Sequence, residues 1–192
     1  MNTTVTQVEK LKIGDVEIYL EDFGEGKGKI ILSNPSSTSY SYYWNAMGGS
    51  LKEFLCQLNG EYFARCLIGA NDRFVIDWKK TFAEVRKHIR NELSLPWYSN
   101  MEFQIEMRHR LNRFQRNCVE YNTAEYFVHG FDYDFVNRLD FYLIEDNREY
   151  LEKDFKRIDE VWHFLVKKEG PEYLKLIDLL KKLQKILNKK AH

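Results

Sequence analysis

Gly28-Lys-Ile-Ile-Leu-Ser-Asn-Pro-Ser-Ser-Thr-Ser-Tyr-Ser-Tyr-Tyr-Trp-Asn-Ala-Met-Gly-Gly-Ser50 divides the chain. Before it lie short runs with a two-residue period. After it nearly every apolar residue recurs at helical spacing. Lys29 to Ser33 reads as a strand, Asn34-Pro35-Ser36-Ser37 as a turn by residue type, and Thr38 to Trp44 as an aromatic strand. On a strand, Tyr40, Tyr42 and Trp44 fall on one face and Ser39, Ser41 and Tyr43 on the other. One face is expected against helices and the other open to a partner.

Upstream, Leu11 and Ile13 alternate with lysines, and Val16, Ile18 and Leu20 alternate with Glu17, Tyr19 and Glu21. Gly14-Asp15 between them predicts a hairpin with a type II′ turn, because glycine comes first. Gly24-Glu-Gly-Lys-Gly28 is expected as the next loop. It is not a phosphate cradle, since no helix start and no Lys-Ser/Thr follow it.

Downstream, Ser50-Leu-Lys-Glu53 is a capping box opening a helix that Asn59-Gly60 breaks, and Glu61 to Leu67 is a second short helix. Phe74-Val-Ile76 reads as a short added strand. Trp78, Phe82, Val85, Ile89 and Leu93 form one helical stripe, ended by Leu95-Pro96. A second capping box, Ser99 to Glu102, opens a helix bearing Phe103, Met107, Leu111 and Phe114, and the pair is expected as an antiparallel hairpin. Tyr121 to Gly130 reads as aromatic loop with a helical turn after Thr123. Phe131 to Leu143 and Tyr150 to Lys168 read as helices. Gly170-Pro171 starts the last helix, with the stripe Tyr173, Ile177, Leu180, Leu183 and Leu187.

The prediction is therefore one α+β domain over 1–192: a small antiparallel sheet of three to five strands within 1–48, then about six helices within 49–192. Residues 150–188 are expected as a C-terminal helical hairpin. No linker, repeat or low-complexity tract interrupts the chain.

Composition narrows the function classes. The 29 basic and 29 acidic residues cancel, so no whole-molecule field draws in nucleic acid or an anionic membrane. Aromatics are abundant, with 12 Tyr, 13 Phe and 4 Trp, and serve either a ring-rich core or a binding face. Cys56, Cys66 and Cys118 lack CxxC spacing and read as reduced thiols. Met1-Asn-Thr-Thr-Val has no signal-peptide character, and no run is long enough for a membrane helix, so a cytoplasmic protein is expected.

No cofactor motif, zinc spacing or Gly-x-Ser-x-Gly is present, and no catalytic residue is assigned. An enzyme reading would rest on His129 with Asp132 and Asp134 as a metal or acid–base cluster; the plainer reading is a loop with capping carboxylates. Charge is uneven. Residues 79–116 carry nine bases and four acids, net plus five, and residues 120–160 five bases and twelve acids, net minus seven. Arg86 with Arg90, and Arg110 with Arg113, are each about one turn apart, so the two helices are expected to carry basic ridges; the plainer reading is a pair of solvated faces neutralised by the acidic segment.

The run Ser39-Tyr-Ser-Tyr-Tyr-Trp-Asn-Ala-Met-Gly-Gly-Ser-Leu-Lys-Glu-Phe-Leu, with Glu61-Tyr-Phe-Ala and Leu95-Pro-Trp-Tyr, resembles uncharacterised small proteins encoded in phages and prophages. The likeness covers roughly Val16 to Phe114. It implies a role of the kind played by small phage accessory proteins, which bind and block a host defence or replication complex, as anti-CRISPR proteins do. The chain lacks the strong acidity of DNA mimics. The implied partner is a host protein or ribonucleoprotein, contacted by Tyr40, Tyr42, Tyr43 and Trp44 and by Arg86, Arg90, Arg110 and Arg113. Direct nucleic-acid binding by the basic ridges is the alternative, and a homodimer through the exposed aromatics is another.

Overall fold

The first hairpin turns at Gly14, whose φ of +60° with no positive φ at Asp15 is the type II′ geometry that Gly-Asp predicts. It joins β1 (Gln7–Ile13) to β2 (Val16–Gly24), and β3 (Lys27–Ser33) and β4 (Tyr40–Trp44) follow in an antiparallel sheet of order β1-β2-β3-β4. The chain is seen in a computed structural model that describes residues 7–35, 38–69, 71–92, 101–131 and 161–190.

The second turn is tighter than its three glycines suggest. Only Glu25 and Gly26 lie outside the strands, with φ of +50° and +71°, the two positive angles of a type I′ turn. Gly28 is needed for another reason. A Cβ there would sit 2.9 Å from Met47 Cε and 3.0 Å from Leu51 Cβ, so the bare backbone admits the following helix.

The register places Ile18 opposite Leu32 and Leu32 opposite Tyr40, then Leu20 opposite Ile30 and Ile30 opposite Tyr42. Period two thus gathers these side chains on one face. Against that face lie α1 (Leu51–Gln57), α2 (Gly60–Ile68) and α6 (Pro171–Lys190). Ser50 caps α1 as predicted: its backbone N–H donates to Glu53 Oε2 at 3.0 Å and its Oγ accepts from Glu53 N at 3.3 Å. Asp22 Oδ2 accepts the next free N–H, from Leu51, at 2.8 Å. Asn59 caps α2, with Oδ1 accepting from Glu61 N at 2.8 Å. Gln184 of α6 donates to the carbonyls of Leu55 and Leu58 at 2.9 and 3.0 Å, satisfying acceptors that the end of α1 leaves free.

This first unit comprises Met1–Phe74 and Glu169–His192. The last helix therefore returns to the first sheet: Leu176, Leu180, Leu183 and Leu187 are buried with Ile18, Leu20, Ile30 and Leu32. The expected 150–188 helical hairpin requires correction. Val161–Phe164 is a 3-10 turn and Lys167–Glu169 is strand β6, paired with β5 (Phe74–Ile76), where α-helix to Lys168 was predicted. Tertiary bonding overrides the helical period there. Val166 N donates to Thr81 Oγ1 at 3.0 Å and Val166 O accepts from Asp77 N at 2.7 Å, so both its backbone groups are taken from any helix. Residues 150–160 of that prediction, and the helix expected after Phe131, lie outside the described residues.

The second unit, Val75–Lys168, contains α3 (Trp78–Glu92), α4 (Met101–Tyr121) and α5 (Ala124–Gly130). The third of these replaces the predicted aromatic loop: Thr123 Oγ1 accepts from Tyr126 N at 3.1 Å and caps a full helix. The hairpin of α3 and α4 is antiparallel, since Trp78 Nε1 donates to Asn122 at 2.9 Å, Phe82 meets Phe114 at 5.6 Å, and Arg86 donates to Asn112 at 3.0 Å. Phe82, Phe114, Phe127 and Phe131 bury their rings together with Trp78, Val85, Ile89, Met107 and Leu111. Among the described residues the architecture is a four-stranded antiparallel sheet followed by six α-helices, an α+β fold.

Candidate functional site

The aromatic strand and the basic helices belong to different units. In the first, Trp44 is buried at 5% exposure and meets Phe54 edge-on at 5.4 Å. Tyr42 is half-buried beside it, ring centroids 5.0 Å apart, and a hydrogen bond with Cys66 pushes its hydroxyl pKa up. Tyr40 is half-buried; burial and then the nearby Glu172 raise its pKa. It lines a cavity of about 400 Å³ with Ile13, Leu32, Lys175 and Leu179. Tyr43 alone points to the open face, 48% exposed, with its ring 5.9 Å from that of Phe23. Phe23, itself 43% exposed, is a surface aromatic that strand alternation hides, because it sits at the bulged end of β2.

In the second unit the four arginines separate onto two flanks. Arg86 donates to Asn112 Oδ1 at 3.0 Å and Gln115 Oε1 at 2.7 Å on α4, and to the Phe82 carbonyl at 3.2 Å. Its guanidinium also lies 5.8 Å from the Phe82 ring centroid. Burial pushes its pKa below the ordinary arginine value, yet a guanidinium stays charged at neutral pH. Among the described residues its hydrogen bonds go to neutral acceptors, which leave the positive charge without an acidic partner there.

Helical spacing extends this flank. On α3, Lys79, Ala83, Arg86 and Arg90 form an i, i+4, i+7, i+11 row; on α4, Arg108 and Arg116 stand one turn either side of Asn112. Lys79, Arg90, Arg108 and Arg116 are exposed, and none is paired with a carboxylate among the described residues. Charge counting finds these bases; only the pairing of Arg86 with Asn112 shows that they share a face.

Arg110 and Arg113 lie on the other flank of α4. Arg110 Nε donates to Glu106 Oε1 at 2.7 Å and its side chain is only 17% exposed. With His109, Arg113 and Asn117 it lines a cavity of about 420 Å³, and Arg116 stands between the flanks, bordering both this cavity and the Asn112, Gln115 and Val119 side. The predicted ridge is thus divided: Arg86 and Arg90 face one way, Arg110 and Arg113 another.

His129 is exposed on α5, while Asp132 and Asp134 lie outside the described residues. His88 is half-buried with its ring 5.0 Å from Phe164. Cys118 is buried and Cys56 half-buried, where desolvation raises the Cys56 thiol pKa and disfavours the nucleophilic thiolate. Among the described residues no helix is long and apolar enough to cross a membrane.

The described residues define an α+β protein with a helix pair whose exposed flank cations have no acidic partner among those residues. Residues 1–189 match the model of the phage family Phage_phiTE_072, and the chain belongs to that Phage family. No curated protein and no solved structure matches it at a significant level.

Proposed function

We propose that this phage-family protein binds a host complex that handles nucleic acid and inhibits or modulates it. The working surface in this reading is the α3/α4 flank of Lys79, Arg86, Arg90, Arg108 and Arg116. One observation supports it above the others: Arg86 is partly desolvated with amide and carbonyl acceptors instead of a carboxylate. Desolvating a cation costs stability that a nearby acid would offset. Keeping the charge with no acid beside it among the described residues favours a site that meets an external anion. Membership of the Phage family supplies the setting; the blocking of a defence complex, in the manner of anti-CRISPR proteins, is our reading of that surface.

Capture from a bacterial host lysate tests this reading. Tagged wild-type protein should retain a host complex at stoichiometric yield, and the double variant R90E/R116E should lose it. Equal recovery by both would overturn the assignment of the surface.

A further inference from the structure

We infer that the α3/α4 flank tracks the phosphates of a DNA duplex. The inference deepens the reading of the same flank as a binding surface. Its geometry is that of a periodic polyanion. Lys79 and Arg90 are eleven residues apart, about 16 Å of helix, and Arg108 and Arg116 eight apart, about 12 Å. Packed helices lie about 8–10 Å apart. Two cationic rows at that separation match phosphates bordering a groove about 12 Å wide. Glu120, one turn beyond Arg116, marks the acidic end of the row.

Duplex is favoured over single strand because this flank shows no stacking platform among the described residues. Unpaired bases need exposed rings. The exposed Tyr121 of α4 already stacks on Tyr126 at 4.4 Å, and among the described residues the flank offers Ala83, Asn112, Gln115 and Val119 between its cations. A protein partner would need a desolvated apolar or aromatic anchor at the centre of the contact. Val119, 54% exposed, is small for that role and suits contact with sugar edges.

Neutralising about four phosphates gives a slope of log K against log salt of about −3.6, an affinity about 150-fold weaker at 200 mM than at 50 mM salt. Fluorescence anisotropy of the full chain with labelled 24-base-pair DNA and RNA duplexes, and with a 24-nucleotide oligo-dT, tests this. Binding to the DNA duplex with that salt dependence is expected, and tighter binding to the RNA duplex, whose major groove is narrow, would overturn the groove match. R90E/R116E should weaken it at least 30-fold at unchanged circular dichroism and Tm. The charge-matched K181E/K185E, on exposed positions of α6, should change it less than threefold. No duplex binding at 50 mM salt, with the host complex still captured, would overturn this inference and leave the binding-protein reading standing. Tighter binding to oligo-dT would overturn the duplex geometry. Equal losses in both double variants would reduce the effect to net charge and overturn the site.

Discussion

In the first unit, Lys10 meets Glu17 at 2.9 Å, Lys52 meets Glu9 at 2.6 Å, Arg73 meets Glu169 at 2.7 Å and Lys182 meets Asp178 at 2.7 Å. In the second, Arg110 meets Glu106 at 2.7 Å and Lys87 meets Glu84 at 3.9 Å, but Arg86 is held by amides, and Lys79, Arg90, Arg108 and Arg116 have no acidic partner among the described residues. Exposed pairs of the first kind contribute little to stability, about 0–1 kcal/mol each. Their effect is to cancel local potential. The second arrangement leaves potential at the surface, where a mobile anion can meet it. The cores differ as well. Leucine and isoleucine fill the first between sheet and helices, while four phenylalanines and a tryptophan dominate the second. Rings locked edge-to-face give α3 and α4 a fixed relative placement, which a two-row surface requires.

The comparison breaks first at the cores. Phe82→Ala removes a fully buried ring that touches Trp78, Phe114 and Phe127, and should cost about 3–5 kcal/mol in urea unfolding. Leu180→Ala in the first unit should cost about 2–5 kcal/mol, but should leave flank binding under folding conditions unchanged, whereas Phe82→Ala should weaken it. Equal binding by the two variants would separate the aromatic core from the flank.

Gly130→Ala is next. A Cβ there falls 2.8 Å from Phe114 Cε2, so α5 must shift from α4 at a cost of about 1–3 kcal/mol. Arg86→Leu should cost only about 1 kcal/mol in stability, because exposed Asn112 and half-buried Gln115 can turn to water. It should nonetheless lower the salt slope of duplex binding by about one contact. A large stability loss with unchanged binding would make Arg86 a brace and nothing more.

The smallest effect lies in the self-neutralised unit. Ser50→Ala should lower stability by about 1 kcal/mol through loss of the α1 cap, read as a Tm drop of about 2–4 °C. Hydrogen bonds from the Ser50 backbone and then its hydroxyl hold the Glu53 pKa below its ordinary 4.5. A carboxyl depressed in the fold stabilises above its unfolded pKa and loses that contribution as pH falls through the folded value. The difference between wild type and Ser50→Ala should therefore hold steady above pH 5 and shrink below about pH 4. Thermal melts at stepped pH measure it.

The strands were legible because period two is strong in Val16–Leu20 and because Gly14-Asp15 and Ser50–Glu53 carry local hydrogen-bond logic. The helix stripes of α3, α4 and α6 were legible for the same local reason. What local pattern could not reveal is long range. The return of α6 to the first sheet depends on Gln184 reaching Leu55 and Leu58, more than a hundred residues away. The strand at Lys167–Glu169 depends on Thr81 and Asp77 capturing Val166. The candidate site was half legible: charge counting pointed to the basic helices and to Arg86 and Arg90 as candidates. It grouped them with Arg110 and Arg113, because spacing within each helix does not say which flank faces the neighbouring helix. Tyr40, Tyr42 and Trp44 shared a face as alternation requires, and that face is the one covered by α1, α2 and α6, leaving Tyr43 with Phe23 outside.

The account turns on which unit meets the partner. The direct measurement is capture of the host complex, from one lysate, by wild type, by R108E/R116E and by the first-unit variant Y43A/F23A. We predict that the α4 variant loses the complex while the aromatic variant keeps it. Loss with Y43A/F23A and retention with R108E/R116E would contradict the account and move the working surface to the open face of the sheet.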